Sequence, residues 1–224
     1  MTQTKIELPF GNKTISAVVP EESLIGTVTP QNQSAVADEV EILTRALARP
    51  IGGSPLKECV RPGQKVAIVT SDLTRPCPAD RLLPLVLGEL GEAGVADSAI
   101  TVIAALGLHR PMTTGELESL VGSDISRRVT VLNHDPTCTR ALGTTLAGTP
   151  VELFEPLVDA DVRICLGNLE FHWFAGYSGG AKAIFPGCAS ERGVTANHAM
   201  MVQPQAENGR IVGNPVRADL EEAA

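Results

Sequence analysis

Aromatic rings are few in this sequence: five phenylalanines, one tryptophan and one tyrosine in 224 residues. Other shortages are as informative. The N-terminal MTQTKIELPF has no basic segment followed by an apolar run, which argues against a signal peptide. The apolar stretches fall far short of the roughly 20 residues that span a bilayer. Cys59, Cys77, Cys138, Cys165 and Cys188 are odd in number and widely spaced, with no Cys-x-x-Cys pair. That pattern argues against a disulfide framework or a zinc knuckle. It suits reduced thiols packed as small hydrophobes in a cytoplasmic protein. Positive charge is the minority, 18 Lys and Arg against 26 Asp and Glu. A net charge of −8 disfavours nucleic acid or an anionic membrane as the main partner, yet leaves room for a local basic pocket. Internal repeats and low-complexity tracts are absent.

What remains is the composition of an ordinary globular protein, 43% hydrophobic and 20% charged, long enough for one substantial core. KIELPF, a Gly11-Asn12 turn and KTISAVVP predict a β-hairpin. A helix is expected over 38–49, with Ile42, Leu43, Ala46 and Leu47 on one face and Pro50 ending it. Residues 1–50 thus read as an extension and 51–224 as the main body. The final NPVRADLEEAA reads as an acidic helix just beginning, with Asp219 as its N-cap. No stop signal follows, so a further segment is expected downstream.

VAIVT (66–70), ITVIAAL (100–106), VTVL (129–132) and VRICLG (162–167) are short, continuous, β-branched runs. Such runs suit strands covered on both faces. Helices are expected between them at 79–93, 114–121 and roughly 151–159, with Pro84 tolerable near a first turn. The alternation predicts an α/β fold: a doubly wound, mostly parallel Rossmann-like sheet carrying an N-terminal hairpin extension.

Each strand runs into an unusual loop: SDLTRPCP (71–78), GLHRPMT (107–113), NHDPT (133–137) and GNLEFHWFAGYSGGAK (167–182). Ligands of open α/β sheets sit beyond the carboxyl ends of the strands, so these loops are the candidate site. Asp72 and Arg75 either line it or close a turn on each other. His109 stands beside Arg110, whose charge would favour a neutral imidazole base. His134 is better read as a turn residue bonded to Asp135.

The richest stretch is EFHWFAGYSGGAKAIFPG (170–187), which holds Phe171, Trp173, Phe174, Tyr177 and Phe185, five of the seven aromatic rings. Ser178, Gly179 and Gly180 would let backbone N–H groups converge on an anion. Lys182 lies between Ala181 and Ala183, so the Gly-Lys-Ser/Thr of an ATP-binding loop is lacking. Beside Ile184 and Phe185 its amine is a candidate desolvated nucleophile. His198 lies on a helix capped by Ser190, with no second His, Cys or carboxylate at i+4. A metal there would need most of its ligands from elsewhere, a cofactor being one source. The plainer reading of the aromatic cluster is a small core beneath a long loop.

SDLTRPCP, GLHRP, FHWFAGYSGGAKAIFPG and the later ANH together resemble the N-terminal half of the nickel-pincer lactate racemases, in the same order from about residue 5 to the end. The resemblance implies a pyridinium-3-thioamide-5-thiocarboxylic acid mononucleotide that holds nickel through two sulfurs and a ring carbon. Lys182 would be its covalent anchor and His198 the fourth nickel ligand. His109 and His172 would be paired acid/base residues, with Arg75 orienting substrate. Asp72, Thr74 and Arg75 would line the cofactor pocket, and Ser178, Gly179 and Gly180 would cradle the phosphate.

The implied reaction is racemisation or epimerisation of a small 2-hydroxy acid, lactate by default, by hydride transfer through a planar keto acid. The aromatic rings would then wall off water. Cofactor-synthesis enzymes are implied as partners, and oligomeric state stays open. Ala181 departs from the larger, often basic residue of many relatives, and Trp173 and Tyr177 are candidate pocket residues. Relatives are about twice as long, with a C-terminal domain that closes over the pocket, so this chain alone is expected to be inactive. The competing readings are a non-catalytic nickel- or mononucleotide-binding protein, and a hydrolase or transferase using Lys182 or a cysteine.

Overall fold

The computed structural model describes residues 2–28 and 38–224. The chain forms two compact units, one ending at Glu39 and the other running from Val40 to Ala224. In the first, β1 (Gln3–Phe10) and β2 (Lys13–Pro20) make an antiparallel hairpin, with Phe10 opposite Lys13. Gly11 takes φ 57° in the two-residue turn, the left-handed conformation that a tight hairpin asks of its first central residue. Helix α1 (Glu39–Ala48) ends just before Pro50, close to its predicted span.

The second unit continues through α2 (Leu56–Cys59), β3 (Val66–Ser71), α3 (Ala79–Glu92), β4 (Ile100–Ala105), α4 (Thr114–Val121), α5 (Ser123–Arg128) and β5 (Thr130–Asn133). Next come β6 (Thr139–Thr144), β7 (Pro150–Phe154), α6 (Glu155–Val158) and β8 (Val162–Leu166). The chain then forms β9 (Phe171–His172), β10 (Gly176–Tyr177), α7 (Ala181–Ile184), α8 (Glu191–Ala199) and α9 (Pro215–Ala223). The four apolar runs form one parallel sheet in the order β5-β4-β3-β8. Val66 pairs with Ile100 on one side and Val162 on the other, and Thr101 faces Thr130. The chain therefore steps outward from β3 through β4 to β5, then returns to pair β8 with the free edge of β3.

Alternate residues of β3 enter two separate cores. Val66 and Ile68 pack with Leu83, Leu87 and Leu90 of α3, Val121 of α4 and Ile125 of α5. Ala67 and Val69 pack with Leu157 of α6, Ile184 of α7, Val194 of α8 and Leu220 of α9. Each buried Val, Leu or Ile contributes about 1.5–3 kcal/mol. A central strand therefore gains from apolar residues at every position, which is why its sequence shows no alternation. The fold is doubly wound α/β. Pro84 sits inside α3 on the exposed side. The carbonyl it leaves without a helical donor is that of Asp80, an exposed residue that water can reach.

Two expectations are corrected. The helix placed at 151–159 is instead strand β7 followed by the single turn α6. β7 pairs antiparallel with β6, after a turn in which Gly148 adopts φ 89°. A stretch as short as PVELF does not distinguish helix from strand by its period, and the partner strand decides it. Asp219 is also not an N-cap. Asn214 caps α9, accepting from the Arg217 N–H, with Pro215 in the first turn, and Asp219 is buried further along the helix.

Candidate active site

Loops after β3, β4 and β8 meet α7 and α8 over the carboxyl ends of those strands, where the winding of the sheet reverses. They enclose a cavity of about 330 Å³. Asp72, Arg75, His109, His172, Lys182 and His198 all line it, together with Ser178, Gly179 and Gly180. The loop after β5 does not reach it, because β5 is the far edge of the sheet.

His109 enters from the β4 loop and Asp72 from the β3 loop, and His109 Nδ1 lies 2.5 Å from Asp72 Oδ2. The other carboxylate oxygen accepts from Thr74 N at 2.8 Å and Thr74 Oγ1 at 2.5 Å, forming an Asx turn. Burial would raise the Asp72 pKa, but the bonds from Thr74 and His109 outweigh it and hold the carboxyl below its ordinary value. An ionised Asp72 only accepts, so His109 donates from Nδ1 and keeps its Nε2 lone pair. Arg110, expected to tune His109, instead forms an ion pair with Glu116 at 2.6 Å. Arg75 does not pair with Asp72 either; it donates to Thr74 Oγ1 at 2.9 Å.

His172 sits in the tight β9–β10 hairpin opposite Gly176. Its Nδ1 accepts from the Ala175 N–H at 3.2 Å. The neutral ring therefore carries its hydrogen on Nε2, the opposite of His109. Burial first, then the charges of Lys182, His198 and Arg75, pull its pKa down to about 4. The Lys182 amine is lowered to about 8 by burial, Arg75 and Arg217, against a smaller opposing pull from Glu170. His198, on α8, is lowered by burial and then by Lys182, and its Nδ1 lies 3.2 Å from Asn197 Oδ1. Phe174 stands between the two rings, edge-on to His172 at 4.7 Å and to His198 at 5.0 Å.

Two readings of the 170–187 stretch change. Its aromatic rings do not line the cavity. Trp173 is 86% exposed at the hairpin turn, Phe185 is in the core, and Phe171 pairs with Tyr177 at 5.2 Å. Only Phe174 supports the site, from behind. The Ser178 hydroxyl is taken up by its own loop, accepting from Glu170 N and donating to Asn168 O, both at 3.0 Å. Of the two glycines beside it, Gly179 packs against its own loop, where a Cβ would lie 3.2 Å from the Asn168 carbonyl oxygen, and Gly180 stays open. Gly180 has φ 57°, and a Cβ there would meet nothing within 4 Å.

His134 is 1% exposed, edge-on to Phe154 at 5.6 Å. Asp135 bonds Thr137 rather than His134. The Ala189 backbone lies near the His134 ring, yet neither ring nitrogen makes a hydrogen bond of ordinary geometry among the described residues.

Sequence reasoning missed Arg217, Asn197 and Asp219. The Arg217 side chain is 12% exposed, held by Glu221 at 2.6 Å and the Tyr177 carbonyl at 3.2 Å, close enough to depress Lys182. An Asn-Pro helix start could have pointed to it, since the cap sets which face Arg217 presents. Asn197 had a weaker signal, its place beside His198.

Residues 10–209 match the model of the lactate racemase N-terminal domain. The chain is 32% identical over 226 aligned positions to lactate racemases of Lactiplantibacillus plantarum and Thermoanaerobacterium thermosaccharolyticum, covering 98% of this chain and 53% of each relative. The structure of the lactate racemase apoprotein from T. thermosaccharolyticum superposes with a TM-score of 0.83 at 33% identity, over 99% of this chain and 53% of that one. A Thermotoga maritima protein of known crystal structure gives a TM-score of 0.68 at 26% identity, over 82% of this chain and 46% of that one. The chain spans about half the length of the curated relatives it matches.

Proposed function

This chain belongs to the lactate racemase N-terminal domain family, and on that premise we propose that it is the cofactor-binding part of a 2-hydroxy-acid racemase, with lactate as the default substrate. The observation that carries the reading is the meeting of His109, His172, Lys182 and His198 in one cavity. The other part of the protein, on this reading, closes that cavity and adds substrate contacts. Leu73, Leu108 and Leu169, on the three contributing loops, are exposed here and suit such a cover.

A nickel-pincer nucleotide fits what the cavity offers. The lowered amine of Lys182 suits covalent attachment, since about a tenth of it is unprotonated at pH 7. His198 offers one ring nitrogen with a free lone pair. Among the described residues no group of three His, Cys, Asp or Glu converges as a metal site, so the remaining donors would belong to the ligand. Arg75, Lys182 and Arg217 bring positive charge to an acidic protein, and the Gly179–Gly180 backbone lies on the cavity wall, with open space at Gly180 for a phosphate to approach. Lys182 would hold the group, His198 would complete the nickel ligands, and the two glycines would take the phosphate. When bound, the group supplies an electrophilic acceptor for the substrate C2 hydrogen, which is too weakly acidic to leave to imidazole as a proton.

The chain's own residues manage the hydroxyl proton and the carboxylate. His109 takes the proton at Nε2, and Asp72 stabilises the imidazolium that results. Arg75 orients the substrate carboxylate. His172 serves the opposite enantiomer. To act as base it must first move its hydrogen to Nδ1, opening the contact with the Ala175 N–H. The two directions of racemisation therefore differ in kcat and KM. Their kcat/KM values stay equal, because enantiomers are equal in free energy.

The test is chiral chromatography of D- and L-lactate with full-length protein made beside cofactor-synthesis enzymes. Nickel-dependent interconversion is expected, with His109→Ala and His172→Ala each lowering kcat at least about 100-fold. Unchanged rates in both variants, or nickel-loaded protein inert toward a panel of 2-hydroxy acids, would remove the reading. The 224-residue chain alone is expected to racemise little, and rapid turnover by it would show that the other half is not needed.

A further inference from the structure

We propose that Asn197 and Asp219 form a positioning relay that decides which nitrogen of His198 carries the hydrogen, leaving Nε2 free to donate its electron pair to a metal. The relay is a property of the fold; its use in metal binding rests on the reading of His198 as a nickel ligand.

The relay starts at Asp219, a buried carboxylate on α9. Its Oδ1 accepts from Thr145 Oγ1 at 2.5 Å, and its Oδ2 from Thr149 Oγ1 at 2.8 Å and Asn197 Nδ2 at 2.7 Å. A carboxylate held this way has only acceptor sites to offer, so the group facing it must be the NH2 of Asn197. The second hydrogen of that NH2 goes to the Val216 carbonyl at 3.2 Å. Turning the amide over would set Oδ1 against two acceptors at a fully buried residue. Leaving buried polar groups unmatched in that way is strongly unfavourable. The amide orientation therefore follows from its partners rather than from the density of atoms around it.

With Nδ2 committed to α9, Oδ1 is what reaches His198, 3.2 Å from its Nδ1. An amide oxygen accepts and never donates, so the imidazole hydrogen must be on Nδ1. Phe174, packed edge-on against the same ring, hinders its rotation. Asn197 and His198 are adjacent on α8, where neighbouring side chains ordinarily point about 100° apart. Asn197 thus faces the buried side, toward α9, while His198 reaches the cavity. Metal-binding histidines commonly rest their second nitrogen on a carbonyl or carboxylate in this way, and losing that support lowers metal affinity 10- to 100-fold.

The experiment uses full-length protein labelled with ¹⁵N-histidine. Long-range ¹H–¹⁵N spectra of the metal-free form, assigned with a His198→Gln variant, report the hydrogen position on each ring. His198 is expected to show Nδ1–H with Nε2 unprotonated. Asn197→Leu, which removes the acceptor, and Asp219→Asn, which allows the amide to turn, should each yield a mixture of the two forms. In cofactor-loaded protein the same variants should release nickel to a chelator 10- to 100-fold faster than the unaltered protein. Nε2–H in the unaltered protein would overturn the relay, and that reading stands even if a variant fails to fold. Folded variants that keep Nδ1–H would overturn it too. The expected spectra combined with nickel retention unaffected by His198→Gln would uphold the relay and refute His198 as the ligand.

Discussion

Lys182 holds an ammonium group where burial and two guanidinium groups oppose its charge. An amine-reactive probe in limiting amount should therefore label it ahead of the other lysines, with a reactivity midpoint near about 8 rather than 10.5. Arg75→Ala should move that midpoint upward, because one opposing charge is gone. Peptide mass spectrometry across a pH series reads both; a midpoint at 10.5, unmoved by Arg75→Ala, would contradict the account. Sequence shows the lysine and its apolar neighbours at 184 and 185, and so the chance of a perturbed amine. Arg217, 35 residues on, enters only through the packing of α7 on α9. Asp72 and His109 were each visible as candidates. Their bond to one another needed the β3–β4 pairing, which brings the ends of two strands side by side.

Elements differ in how far their own residues determine them. The four parallel strands were legible because burial on both faces leaves a plain mark: apolar, β-branched residues without interruption. β7 was not, because VELF satisfies either period and its partner lies across a loop. The β9–β10 hairpin is the opposite case, a two-residue ladder with little stability of its own. It is clamped from outside. Gly209 donates its N–H to the Gly176 carbonyl at 3.0 Å. Gly176 has φ 78°, and a Cβ there would lie 2.0 Å from the Arg210 carbonyl oxygen. Gly176→Ala is expected to destabilise the fold by roughly 2–4 kcal/mol and to displace His172, which faces it across the ladder. Urea denaturation measures the first effect. A curve matching that of the unaltered protein would mean that the clamp is not needed.

The whole molecule has an acid limit built from two neutral histidines. His134 and His172 both fold with pKa values pulled down to about 4, chiefly by burial. Between pH 6.5 and 4 the unfolded chain thus binds more protons than the folded one, so stability falls as pH falls through that window and is complete above it. For the buried His134 the loss is about 3 kcal/mol over the window. His134→Leu should remove that share, so its urea midpoint should drop less between pH 7.5 and 4.5 than that of the unaltered protein. Parallel drops would show that His134 finds a partner for its proton.

α9, the last helix of the chain, touches both ends of the site. Asn214 at its start donates to the Phe174 carbonyl at 2.8 Å, in the turn that carries His172, and Asp219 steers Asn197 beside His198. One rod is keyed to two imidazoles that arrive from separate branches of the chain. Their spacing is thereby calibrated against a common ruler, and strain applied to that rod would detune both together rather than either alone.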